Sequence, residues 1–500
     1  MTLHLTLTWL REHSRRPLNL ALLIVVPVVF VILSAGALAD FADILAGGTN
    51  RESVELATAG WAASILAGVG AFFHVAGSRK ADRRLAATGV KTRKVVGSRL
   101  SSSAVLGLLA VVASFLALWI RVDIGDPATV FVATVLSAAI YLGIGIIVGA
   151  FVESELNGSL LIVFGWMFDV FFGPAMGGTT LLVRFFPLHY PTLILTDSNS
   201  PHAGVFGNLW ISVAWTVVSL VLAVAALRFG IAPRRPRHRS GALDRDMAGV
   251  RKPNRRVEAL RAAWRELRRM PVMWVLLIGL PVAFISSSIA VTPSDPTPVS
   301  LTEGGKAVLS IISMTEVHGA IMVPITVGFL ASLAGLFVVL DSAEADRRLS
   351  LTSVKANEIL SVRMIVVGGA ALLAAAVSLL VTSIDFSPEQ WGGFVLATVL
   401  VALTYGAIGV LVGPIFGRLG GLYILLVLPF IDIGMAQNPM FDASPPAWGR
   451  FLPSHGAIRV LVDTAFTPSF DEFGATVLAL AWLIGLTTLA AAAFHRIVTT

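Results

Sequence analysis

Ser78-Arg-Lys-Ala-Asp-Arg-Arg-Leu-Ala-Ala-Thr-Gly-Val-Lys-Thr-Arg-Lys-Val-Val-Gly-Ser-Arg99 returns 264 positions later as Ser342 to Arg363, identical at 10 of 22 positions. The shared core is Ala81-Asp82-Arg83-Arg84-Leu85 and its copy Ala345-Asp346-Arg347-Arg348-Leu349. The same offset carries Ala133-Thr134-Val135-Leu136, Tyr141 and Gly149 onto Ala397-Thr398-Val399-Leu400, Tyr405 and Gly413. Further out, Phe185, Pro187, His189 and Asp197 recur 266 positions on as Phe451, Pro453, His455 and Asp463, and Pro17 and Pro27 recur at 254 as Pro271 and Pro281. Two copies of one unit fill the chain, the second carrying a ten-residue insertion near its start. This divides the chain into a first half, 1–230, a linker, 231–256, and a second half, 257–500.

What separates the repeats is apolar. The 500 residues are 56% hydrophobic and only 13% charged, and the mean hydropathy of +0.83 lies far outside the range of soluble domains. Stretches fit to cross about 30 Å of hydrocarbon fall near 18–39, 54–77, 99–120, 129–151, 158–172, 207–229, 272–291, 318–340, 363–384, 392–416, 419–434 and 474–494. They lack strict alternation, and a helix satisfies its own backbone in lipid, so an all-α membrane protein of about twelve helices, six per half, is expected. Arg11, Arg15 and Arg16 before an apolar run ending Ala35-Gly-Ala-Leu-Ala39 also suggest a cleaved signal peptide. The run is long for that and 272–291 repeats it, so it is read as the first span. The chain has no cysteine, which removes disulfides and thiolate metal ligands.

Basic residues set the orientation. The N-terminus, loop 78–99, the segment 228–271, loop 342–363, Arg418 and Arg496 hold 31 of the 37 Lys and Arg. Excess positive charge marks the cytosolic face, so both termini and the linker are expected in the cytosol of a multi-pass protein of the plasma membrane. The net charge of +7 then reflects topology and contact with anionic membrane lipids, with no nucleic-acid partner.

Each half opens with a short basic segment, Trp9 to Arg16 and Trp264 to Arg269, whose apolar residues repeat at helical spacing opposite the arginines. An interfacial elbow helix at the N-terminus of each half is expected, turned into the bilayer by Pro17 and Pro271. The fifth and eleventh spans end in breakers, Gly173-Pro174 and Gly434 with Pro439. Behind them, Leu181 to Leu195 and Arg450 to Val462 are apolar but too short to cross, so re-entrant or surface-lying helices are expected there.

With these features the chain resembles the permease subunit of a type-2 ATP-binding cassette exporter, in the fused form with both six-helix halves on one polypeptide. The resemblance covers almost the full length and rests on architecture plus the repeated loop. The commoner family loop begins Glu-Arg and continues to Gly-Thr; Glu344 supplies the acid in the second copy, where the first has Lys80. The resemblance implies coupling helices at Arg79 to Thr88 and Ala343 to Thr352, docking two copies of a cytosolic ATPase through Arg79, Asp82, Arg83, Arg84, Glu344, Asp346, Arg347 and Arg348. No phosphate loop exists here, since Gly304-Gly305-Lys306-Ala307 lacks the spaced first Gly and the Ser or Thr. The chain is therefore expected to be no enzyme and to bind no cofactor, with MgATP held by the partner. The cargo expected is lipophilic: a drug, an antibiotic or a lipid.

Asp169 and Asp432 fall within or at the end of apolar spans, where an ionisable group is costly, and are candidates to line a polar substrate pathway. His189 and His455 occupy matching outer positions without a partner at metal-ligand spacing, and a structural hydrogen bond is the expected role. Gly143, Gly145, Gly149 and Gly406, Gly409, Gly413 read as close helix packing. The rival class is the major-facilitator secondary transporter, which also has twelve helices in two halves. Its loop motif sets Asp four residues after a Gly, whereas Gly77 precedes Asp82 by five.

Overall fold

The computed structural model describes residues 6–9, 11, 17–46, 51–152, 154–177, 181–198, 200–231, 271–350 and 356–499. The linker 231–256 beyond Ile231 and the second elbow segment lie outside these residues, and of the first elbow only 6–9 and 11 are described, as helix.

The fold is that of a helical multi-pass membrane protein. The helices are α1 (Pro17–Ala46), α2 (Arg51–Ala87), α3 (Thr92–Arg121), α4 (Pro127–Phe151), α5 (Glu155–Phe171), α6 (His189–Thr196), α7 (Gly207–Ile231), α8 (Pro271–Val291), α9 (Met314–Ser350), α10 (Ala356–Asp385), α11 (Trp391–Pro429), α12 (His455–Phe466) and α13 (Phe473–Thr499). Nine candidate membrane spans are found among the described residues, one of them the continuous run Trp391–Ala436. Helix α5, at 17 residues, and the apolar stretch Leu277–Val291 of α8 are shorter.

Local chemistry starts and stops these helices. Pro127 occupies the first turn of α4 and Asp126 accepts from the Ala128 and Thr129 amides at 3.2 Å, satisfying donors that have no partner within the helix. Ser154 does the same for Asn157 at the start of α5. Gly417, at φ 69°, breaks α11. Tyr405 and Asp432 are 27 residues apart, about 40 Å along a straight helix, yet hydrogen-bond at 2.6 Å, so the chain doubles back at Gly417. The run ends in a π-helical turn, Phe430–Ala436.

Helix α2 packs most extensively on α4, and α9 on α11. Both crossings turn on a glycine. A Cβ on Gly145 would lie 2.0 Å from the Gly68 carbonyl oxygen, and one on Gly409 would lie 2.0 Å from that of Ser332. Only a hydrogen side chain lets backbones approach so closely, and in lipid such van der Waals packing drives helix association.

Among the described residues one β-hairpin is added to the helices: β1 (Pro296–Glu303) pairs antiparallel with β2 (Lys306–Ser313). Glu303 pairs with Lys306 across Gly304-Gly305, whose φ of 56° and 76° fit the two-residue turn that matches strand twist. The hairpin occupies the place of the second copy's insertion. Its turn is the Gly304 to Ala307 stretch, which has the conformation of a hairpin rather than a phosphate loop.

Candidate functional site

The repeated loop differs in structure from its sequence-based expectation. Residues 79–87 form no separate coupling helix; they are the last turns of α2, which runs to Ala87 before Gly89, at φ 90°, turns the chain into α3. In the second copy α9 continues through 343–350, and residues 351–355 lie outside the described set.

Within these turns the motif has two faces. Asp82, expected to meet a partner, is 2% exposed and bound by Arg99, with Nη2 to Oδ1 at 2.8 Å and Nε to Oδ2 at 2.9 Å. Arg99 is itself buried, its guanidinium 3.5 Å from the centroid of the Trp9 ring and 3.3 Å from His74 Nε2. Trp9 thus packs inward on the bundle. Asp346 repeats the arrangement, buried against Arg363 with Nη2 to Oδ1 at 2.8 Å and Nε to Oδ2 at 3.2 Å. Asp82 and Asp346, expected at a docking surface, are thus both buried in ion pairs within the chain. Each clips the end of one long helix to the start of the next, 17 residues on.

The arginines of the motif divide. Arg79 donates to the Val152 carbonyl at the end of α4, and Arg83 Nε to the Gly230 carbonyl in α7 at 3.1 Å. Arg84 and Arg348 are exposed, and Lys80, Lys91 and Arg93 extend the exposed basic tip of the first copy. The side chains of Glu344 and Arg347 lie outside the described set.

Asp169 and Asp432, the candidates for a polar substrate pathway, are both buried and hydrogen-bonded. Asp169 accepts from the Tyr141 hydroxyl at 2.9 Å and with both oxygens from the Leu188 amide at 3.0 Å. Asp432 accepts from Tyr405, from the Ser454 amide at 3.1 Å and from Ser454 Oγ at 2.5 Å. Leu188 and Ser454 stand just before α6 and α12, so each carboxylate anchors the positive end of a short helix. Neither is among the residues that line the cavity described next.

His189 Nε2 lies 3.1 Å from His202 Nδ1, and His455 Nδ1 donates to Gln437 Oε1 at 2.9 Å. Burial, with His202 and Arg184 nearby, pushes His189 down to about 4, keeping it neutral. Among the described residues no group of His, Asp and Glu could hold a metal.

Between α1 and α5 on one side and α8, α9 and α11 on the other lies an apolar cavity of about 100 Å³. Phe284 reaches Phe168 and Phe172 at 5.2 and 5.8 Å between centroids, and Phe30 stacks on Phe430 at 6.0 Å. The lining contains no Asp, Glu, Lys or Arg; His318, Asn438, Thr326 and Ser288 are its polar members. Two contacts join the two halves of the chain away from the cavity. Tyr423 donates to the Leu66 carbonyl at 3.0 Å, and Arg418 pairs with Glu155 and, at 2.9 Å, with Asp341.

Sequence reasoning missed Arg99, Arg363, Tyr141 and Tyr405 as partners, although all four sit at matched positions of the repeat. It also missed the Glu155–Arg418 pair, which has no counterpart of its own in the pattern. No protein-family model matches the chain, and no curated protein matches it.

Proposed function

We propose that this chain is the membrane-spanning permease subunit of an ATP-binding cassette exporter, moving a lipophilic molecule with ATP hydrolysed by a separate cytosolic subunit. Counting α5, α8 and both limbs of α11 as crossings gives twelve spans in two six-helix halves. Both termini and the loops 78–99 and 342–363 then face the cytosol, at the plasma membrane. The observation that carries the reading is the pair of helix hairpins, each closed by the same buried Asp–Arg clip and each holding an exposed arginine, Arg84 or Arg348, at its tip. A clip of this kind makes a hairpin a stiff lever, able to pass a push at its tip into the helices.

The cavity supports the cargo class. It is lined by aromatic rings, and at about 100 Å³ it is well below the 300–1,000 Å³ or so of drug-sized sites, so the conformation is a closed one. Opening requires α1 and α5 to move against α8, α9 and α11, and the Glu155–Arg418–Asp341 cluster is the polar latch joining these sides.

The docking surface is tested by Arg84→Glu with Arg348→Glu. Both side chains are exposed, so the fold should be kept while recovery of the ATPase on the purified permease falls more than about tenfold, about 1.4 kcal/mol of binding. Undiminished complex formation would refute this surface.

A further inference from the structure

The second half carries a polar pocket of about 340 Å³ beneath the β1–β2 hairpin, on the side of the molecule away from the basic loops. Its floor is one face of α12, where His455, Arg459 and Asp463 follow at intervals of four, and its roof includes Thr302 of β1. The hairpin is fastened at both ends. The Ser300 amide donates to the Ala443 carbonyl at 3.0 Å, the Gly304 amide to Asp471 at 3.0 Å, and Thr302 Oγ1 to Glu472 at 2.6 Å.

Nearly every polar group at the bottom of the pocket is engaged. Glu472 accepts from Arg459 Nε at 3.1 Å as well as from Thr302, and His455 is held by Gln437. Asp463 is different. It is 2% exposed, yet neither carboxylate oxygen has a hydrogen-bonding partner. The backbone amides of Asp471 and Thr302 lie on its side without reaching hydrogen-bond geometry. A buried ionised carboxylate without a partner is costly, and a protein relieves that cost by protonation or by a cation.

Its counterpart shows that the arrangement is built rather than inherited. Asp197, 266 positions earlier, caps the end of α6 but is exposed, and no hairpin covers it among the described residues. The added segment therefore both creates the pocket and buries the carboxylate.

We propose that this pocket binds an organic ammonium ion, whose charged nitrogen docks on Asp463. A divalent metal is a poor fit, because calcium takes six to eight oxygens and no ligand cluster exists among the described residues. A volume of about 340 Å³ holds a small organic molecule. Arg459 lines the same wall and Arg450 stands at the exposed rim, so one ammonium with an uncharged tail suits the pocket better than a polycation. Burial, with Glu472 and Asp471 nearby, pushes Asp463 up to about 6. The other ionisable groups facing the pocket are His455, Arg450, Arg459 and Asp442. The carboxylate is thus ready to accept a cation at neutral pH and is neutralised by acid.

The site can be tested on the full chain in lipid nanodiscs without any ATPase, so the outcome is independent of the exporter reading. Fluorescence titration with dansylcadaverine, a primary ammonium carrying a reporter, should saturate at pH 7.5 and be reversed by n-butylammonium. Asp463→Asn, which keeps the shape and removes the charge, should weaken binding about tenfold or more, in line with the loss of a charge-assisted hydrogen bond, while Asp197→Asn leaves it unchanged. On the unaltered protein, affinity should fall from pH 7.5 to pH 5 by a similar factor, a readout that needs no variant to fold. Equal binding by Asp463→Asn, no competition by butylammonium, or an affinity indifferent to pH would each overturn the proposal.

Discussion

At the scale of the residue, the repeated Asp is the strongest determinant of local structure. Asp82 and Arg99 are both nearly dry, so removing one partner strands the other charge in the interior, at a cost of about 3–5 kcal/mol. Arg99→Met should therefore lower the melting temperature of the detergent-solubilised chain sharply. The double replacement Asp82→Leu with Arg99→Met should recover most of the loss, and a double variant as unstable as the single would contradict the clip. The histidine of α6 makes a second prediction. Because burial depresses His189 to about 4, against an ordinary value near 6.5, an undocked His189 binds more protons than the docked one between these values. Docking of α6 should be complete above about pH 6.5 and weaken as the pH falls toward 4. Hydrogen exchange of residues 189–196 should speed up over that range, and His189→Asn should flatten the dependence. That Asp82 belongs to the interior was readable in principle: Arg99 and Arg363 lie 17 residues beyond their aspartates and close the repeated stretch. Charge alone, however, does not tell a paired interior arginine from a solvated one, so the loop reads as a uniform basic surface.

At the scale of the element, long apolar runs were legible and their ends were not. The sequence places a crossing at 392–416 and another at 419–434, and the structure breaks the run at Gly417. It could not place the end of α2, because Ala81 to Ala87 continues a good helix and only Gly89 stops it. Nor did it reveal the hairpin, since β1 and β2 gain their pairing from each other and from Ala443, Asp471 and Glu472, far along the chain. Gly417 has open space where a Cβ would go, so its backbone conformation is the constraint. Gly417→Val should destabilise the α11 turn by about 1–2 kcal/mol, a few degrees of melting temperature. Gly145→Leu should do much more, since its Cβ would meet the Gly68 backbone. If Gly145→Leu melts like the parent protein, the α2–α4 crossing is not as close as described.

At the scale of the whole molecule, the account rests on two levers at one end and a closed apolar cavity between the sides they move. Glu155 and Arg418 join those sides, and Arg418 also reaches Asp341 in the second lever helix. Removing this latch by Glu155→Gln should raise the fraction of open molecules, seen as faster labelling of a cysteine placed at Ala37 in the cavity wall; the natural chain has no cysteine to interfere. The most direct test of the exporter reading is to purify the tagged chain from its native membranes in mild detergent and identify what remains bound by mass spectrometry. The account predicts a soluble ATPase with a phosphate loop at two copies per chain, lost on Arg84→Glu with Arg348→Glu. Recovery of the chain alone, with proton-driven uptake by reconstituted vesicles, would contradict it.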